Sequence, residues 1–242
     1  MTGRKAIRSL FAWLYAALLM ALYVSSAVVA AIFLGGRRAF WLLAPKYFER
    51  AAKAFGITPI LEGWESLPEA IKSGQQPAIF IANHASLFDP PMIIVSLPCK
   101  PVLIAKKGLA WMPIVGQAMM LAEFIFVDRH KGAKSAASIK AAAQKIRNGI
   151  SVAYFPEGTR STTGRLRPFK KGAFALAAES GAPIVPLAIV GGHRTLPKGE
   201  WRVCPGEYRM TVGKPLWPQD FSDAGTLRRH AEVRMREMLN EQ

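Results

Sequence analysis

Pro77-Ala-Ile-Phe-Ile-Ala82 runs directly into Asn83-His84-Ala85-Ser86-Leu87-Phe88-Asp89-Pro90-Pro91. The first six residues are short, apolar and partly β-branched, which is the composition of a buried strand. The strand then opens into a turn that carries a histidine and an aspartate five residues apart. On a regular helix five positions separate two side chains by about 140°, out of reach of one another. In a turn bounded by Pro90 and Pro91, the Asp89 carboxylate can fold back onto one nitrogen of His84. That contact fixes the tautomer and leaves the other nitrogen as a base. An unperturbed imidazole, with a pKa of about 6.5, is matched to removing a hydroxyl proton near neutral pH without a metal. Taken alone, the pair also fits a hydrogen-bonded structural histidine and a helix-capping aspartate, so the rest of the chain has to decide.

Outward from this passage, strand-like and helix-like segments alternate. Val102–Ala105, Glu123–Val127, Ser151–Phe155 and Pro183–Val190 read as strands, and Arg209–Val212 as a sixth. His130–Asn148 has helical composition and closes on Asn148-Gly149. Lys171–Ser180 closes on Gly181, and Leu227–Leu239 forms a C-terminal helix. The alternation predicts an α/β fold with a central mixed sheet flanked by helices.

Ser9 to Gly36 holds 28 residues without a charge or a histidine. As one helix it would measure about 42 Å, against about 30 Å of bilayer hydrocarbon. It is therefore expected as a tilted spanning helix, or as two shorter helices meeting near Ser25-Ser26. Arg4, Lys5 and Arg8 precede it, while Arg37, Arg38, Lys46 and Arg50 follow. With both flanks basic, a re-entrant hairpin with both ends on the cytoplasmic face satisfies the positive-inside rule at once. Trp13, Tyr15, Tyr23 and Trp41 suit the interface. A cleaved signal peptide normally has an apolar core of only about 7–15 residues. Residues 1–50 are read as a membrane-embedded anchor with a polar, helix-prone linker from Lys46 to Gly56, and residues 51–242 as the catalytic domain.

The chain carries 32 Lys and Arg against 16 Asp and Glu, a formal charge of +16 over 242 residues. Such an excess calls for an anionic partner. Zinc-finger spacing, RNA-binding aromatic signatures and basic-zipper heptads are missing, which argues against nucleic acid and for membrane lipids or a phosphate-bearing substrate. Cys99 and Cys204, without CxxC spacing, are expected as buried free thiols in a reducing cytoplasm.

After the fourth strand stands Phe155-Pro156-Glu157-Gly158-Thr159-Arg160-Ser161. A glycine lets backbone N–H groups approach an anion, and an arginine beside it can grip a phosphate bidentately. Arg165, Arg167, Lys170 and Lys171 raise the local potential. Lys106-Lys107 and Asp128-Arg129 end two other strands, and open α/β sheets bind ligands at strand carboxyl ends.

In order and spacing these blocks resemble the glycerolipid acyltransferases, specifically the 1-acylglycerol-3-phosphate acyltransferases. Asn83-His84 through Asp89 is similar to the family's catalytic block, Glu123 through Arg129 to its second, Phe155 through Ser161 to its acceptor block and Ile184-Val185-Pro186-Leu187 to its fourth. Arg167 through Phe174 also reads like the family. The resemblance implies His84 as general base and Asp89 as its orienting partner. It implies acceptor contacts from Lys106, Arg129, Glu157, Gly158, Thr159 and Arg160. It further implies acyl-CoA or acyl carrier protein as donor, a lysophospholipid acceptor and no further cofactor. The basic flanks point to the cytoplasmic face of a cell membrane, and the compactness and lack of extra spanning segments to the bacterial inner membrane. Two positions depart from the pattern: Glu123 stands where the second block usually has glycine, and Gly108 where an acidic residue is common. Three other readings stay open on the sequence: a different lysolipid acceptor such as lyso-ornithine lipid, a membrane thioesterase, and an anionic-lipid binding module.

Overall fold

The computed structural model describes residues 2–127 and 133–241. The chain opens with α1 (Thr2–Leu34) and α2 (Gly36–Phe55), which turn back on each other at Gly35. Their contacts run in reverse order. Trp13 meets Phe55 with ring centroids 4.7 Å apart, the Tyr47 hydroxyl donates to the Ala16 carbonyl at 3.1 Å, and Tyr23 meets both Tyr47 and Phe40. The expected break near Ser25-Ser26 does not occur. Those hydroxyls bond the carbonyls of Ala21 and Leu22 one turn earlier, at 2.9 and 2.8 Å, and the helix continues.

Residues 46–55 of the expected helix-prone linker form the second half of α2, which continues through Pro45 and is capped by Gly56. Ala39, Phe40, Ala44, Tyr47, Ala51, Ala52 and Phe55 are buried along this helix. Their recurrence every three or four residues gives α2 a continuous apolar stripe. Helix α2 is thus a wedge between α1 and the α/β domain.

The remaining elements are β1 (Ile57–Glu62), α3 (Glu69–Lys72), β2 (Ile79–Ala82), α4 (Asp89–Ser96), β3 (Val102–Lys106), α5 (Val115–Leu121), β4 (Ile125–Val127), α6 (Ala133–Arg147), β5 (Val152–Tyr154), α7 (Gly172–Ser180), β6 (Ile184–Val190), α8 (Gly192–Thr195), β7 (Gly206–Val212) and α9 (Ala224–Met238). The seven strands form one sheet in the order β1-β7-β6-β2-β5-β3-β4. Strands β2 to β6 are all parallel, whereas β7 runs antiparallel to β6 and β1 pairs parallel with β7. The sheet is therefore mixed, as expected.

Ile79, Phe80, Ile81, Ala82, Val152 and Ala153 are all fully buried, which explains why the central strands read as uninterrupted apolar runs. Strand β1 was not legible as one. It is half-exposed, sits at the sheet edge and contains Pro59, tolerated there because an edge strand has free N–H positions. Helices α6, α7 and α9 pack together, with α9 against β6, and α2 holds α4 and α5. Cys99 and Cys204 are unbridged and half-buried rather than buried, and burial pushes the Cys99 thiol up to about 12.

Candidate active site

Parallel strands bring their carboxyl ends to one edge, so the segments after β2, β3 and β5 open side by side. At the end of β2, Asn83 extends the ladder with its side chain. Its Oδ1 accepts the Ile189 N–H at 2.7 Å and its Nδ2 donates to the Ile189 carbonyl at 2.9 Å. The main chain is thereby released from the sheet at the position where His84 must turn.

Asp89 is the first residue of α4, and Pro90 and Pro91 occupy the first helical turn, where a missing N–H costs nothing. The two prolines thus start a helix rather than simply bounding a turn. The carboxylate of Asp89 is fully buried. Its Oδ2 accepts the N–H groups of Ala85 and Ser86, both at 2.8 Å, and lies 2.7 Å from His84 Nδ1. An ionised carboxylate only accepts, so the contact places the proton on Nδ1 and leaves a lone pair on Nε2. The Asp89 Oδ1 accepts from the hydroxyl of Tyr208 in β7.

His84 is held on three further sides. Its ring stacks on Phe155 with centroids 4.2 Å apart and planes 23° from parallel. Its carbonyl accepts the Ser161 N–H at 2.6 Å, and its own N–H donates to Glu157 Oε1 at 2.6 Å. The side chain keeps 18% of its surface exposed, and Nε2 has no hydrogen-bond partner among the described residues. The arrangement can take a proton from a group arriving at the strand ends.

The resemblance implied a headgroup contact for Glu157, but the structure buries this residue at 2% exposure. Both oxygens are engaged inside the protein, Oε1 by His84 N–H and Oε2 by Arg167 N–H at 3.1 Å. Burial pushes the carboxyl up to about 7 against the pull of those two donors. Gly158, with φ 75, is in the left-handed region, and a Cβ there would press on the Lys170 side chain from 3.0 Å. Thr159 is exposed and Arg160 half-exposed, and neither has a hydrogen-bonding or ionic partner among the described residues.

Lys106 ends β3 with an exposed side chain, on the same sheet edge as His84 and Arg160. Asp128 and Arg129 lie outside the described residues. Tyr208 and Ser161 were not singled out as site residues from sequence. No short-range signal points to Tyr208, which stands 119 positions from its partner.

Comparison with known proteins gives the family and the fold. A profile of the family described as Acyltransferase matches residues 59–190, which include the loops carrying His84, Asp89 and Arg160. A 1-acyl-sn-glycerol-3-phosphate acyltransferase from Cocos nucifera is 40% identical over 147 residues, covering 60% of this chain and 48% of that protein. One from Limnanthes douglasii is 44% identical over 146 residues, covering 60% and 52%. The chain spans about half the length of these curated relatives. The crystal structure of the 1-acyl-sn-glycerophosphate (LPA) acyltransferase PlsC from Thermotoga maritima superposes with a TM-score of 0.85 at 26% identity, over 99% of this chain and 96% of that one. The chain belongs to the acyltransferase family.

Proposed function

We propose that this protein transfers an acyl group from an acyl thioester, carried by CoA or by acyl carrier protein, to the free sn-2 hydroxyl of 1-acylglycerol-3-phosphate, giving phosphatidic acid. The observation that carries the reading is the His84–Asp89 pair, with Nε2 open at the strand ends and the basic residues Lys106 and Arg160 on the same edge. His84 Nε2 takes the hydroxyl proton as the alcohol oxygen attacks the thioester carbonyl. The tetrahedral intermediate collapses, the C–S bond breaks, and the departing thiolate recovers the proton from His84. Asp89 stabilises the imidazolium in between. Lys106, Thr159 and Arg160 bind the acceptor phosphate, with Gly158 shaping the loop and Arg129 a further contact carried by the family resemblance. Glu157 acts from behind by fixing the backbone of His84.

Helix α1 supplies the membrane attachment. Among the described residues it is the helix long and apolar enough to cross a bilayer, over Gly3–Leu34. One stripe (Ser9, Ala12, Ala16, Tyr23 and Ala27) is buried, while Leu10, Phe11, Leu14, Leu18, Leu22, Val29, Ile32 and Phe33 are exposed. Near its start, Arg8 donates to the Val203 carbonyl at 2.9 Å and Trp13 Nε1 to the Trp201 carbonyl at 2.8 Å. A helix tied to the domain near its start and packed along α2 for the rest, with its opposite side apolar, favours embedding in one face of the membrane over a free span. Basic residues on both flanks support the cytoplasmic face.

The test is thiol release from acyl-CoA, then from acyl carrier protein, by purified protein in detergent, with and without 1-acylglycerol-3-phosphate. Acceptor-dependent release that vanishes in His84→Ala is the expected result. Release without acceptor indicates a thioesterase, and silence with every donor and lysolipid overturns the assignment.

A further inference from the structure

A buried carboxylate is costly unless its lone pairs are occupied. Asp89 meets this demand without a cation: among the described residues no lysine or arginine bonds to it. Its charge is held by donors alone. Three of them converge on Oδ2, namely the N–H groups of Ala85 and Ser86 and the His84 ring. On Oδ1 the hydrogen-bond donor is Tyr208.

The tyrosine reaches this oxygen from two strands beyond β2 in the sheet order. It lies in β7, the strand that reverses the direction of the sheet, and it is fully buried. Residue 192 has to be glycine for the contact to form. A Cβ there would stand 2.6 Å from the Tyr208 hydroxyl and 2.8 Å from Asp89 Oδ1. Burial beside Asp89 raises the phenol well above its ordinary value, so it remains a donor across the working pH range. Of the other titratable groups around the pair, Glu157 faces the backbone N–H of His84 and the Arg194 guanidinium reaches Gly206, while the His193 ring of α8 packs on Gly164 with its Nδ1 buried and without a hydrogen-bond partner among the described residues.

We propose that Tyr208 is a positioning residue for acyl transfer, its hydroxyl holding the Asp89 carboxylate ionised and turned toward His84. The inference rests on the reading of His84 as general base. Without the hydroxyl, Oδ1 is a buried acceptor with no donor, and the carboxylate becomes more basic and free to exchange its two oxygens. The proton affinity of the His84–Asp89 pair then rises as a unit.

Tyr208→Phe removes the hydroxyl and keeps the ring, so the core stays filled. In ¹⁵N-histidine-labelled protein in micelles, with His84 assigned by loss of its signal in His84→Ala, the titration midpoint of the pair is expected to rise by about one pH unit. In the acyl-transfer assay the acid limb of kcat/KM moves the same way, and kcat falls about tenfold with acceptor KM within about twofold of wild type. In an Asp89→Asn background, Tyr208→Phe should cause no further loss, because the hydroxyl acts only through that carboxylate.

An unmoved midpoint, or an equal loss in the Asp89→Asn background, overturns the proposal. Should Tyr208→Phe fail to fold, global 3-fluorotyrosine labelling strengthens the donor instead, and the midpoint should fall; a midpoint that stays put overturns the inference. A shifted midpoint in a protein that transfers no acyl group would sink the acyltransferase reading and leave the positioning role standing. Normal transfer with an unmoved midpoint would do the reverse.

Discussion

Glu157 Oε1 accepts the backbone N–H of His84 at 2.6 Å, joining the loops after β5 and β2 across 73 positions of sequence. Its second oxygen accepts the N–H of Arg167, so one buried carboxylate ties the histidine loop to the basic loop. Glutamate is suited to this place because it offers two acceptor oxygens at the end of a side chain long enough to reach both donors.

Glu157→Gln should lower kcat by about ten- to hundredfold, because an amide presents one acceptor and sets its NH2 against the remaining backbone N–H. The variant also exposes a linkage effect. The folded-state carboxyl, at about 7, lies above its ordinary 4.5, so its stabilisation is fully present below pH 4.5 and is lost as pH rises through 7. The stability difference, wild type minus variant, should therefore shrink by roughly 3 kcal/mol from pH 4 to pH 8 in denaturant melts in detergent. A difference flat in pH would show that the carboxyl titrates near its ordinary value.

Arg160 lies half-exposed on the sheet edge that carries His84, without an internal partner among the described residues. Its replacement by alanine should raise the KM for 1-acylglycerol-3-phosphate about tenfold and lower kcat less, as expected for a contact made equally in the ground and transition states. Steady-state kinetics at saturating donor read the split. A pure loss of kcat would contradict the assignment to the acceptor.

Glu123 adopts φ 58, a left-handed conformation that costs a residue with a Cβ. The glycine usual at this place in the family has a backbone reason. Glu123→Gly should stabilise the protein by about 0.5–1 kcal/mol, the relief of strain exceeding the added freedom of the unfolded chain. The carbonyl that accepts Lys145 Nζ at 3.4 Å is retained, and thermal melting in detergent measures the gain.

By itself the sequence determined the features that depend on residues near one another in the chain. Apolar runs such as Ile79–Ala82 and Ile184–Val190 identify buried strands, and the uncharged stretch from Ser9 to Gly36 identifies a helix long and apolar enough to cross a membrane. The His84–Asp89 contact was also legible, since the two residues stand five positions apart where one strand ends. Tertiary structure alone decided what occupies the far sides of those residues. Tyr208 meets Asp89 because β7 runs antiparallel beside β6 and Gly192 leaves room for its hydroxyl. Glu157, expected at the headgroup, turns inward because two unpaired backbone N–H groups converge on its position. The turn at Gly35 follows from packing α1 onto α2, and the wedge from packing α2 onto α4, α5 and β1. Periodicity reports which face of a segment is buried; only strand order and register determine which distant side chain is waiting there.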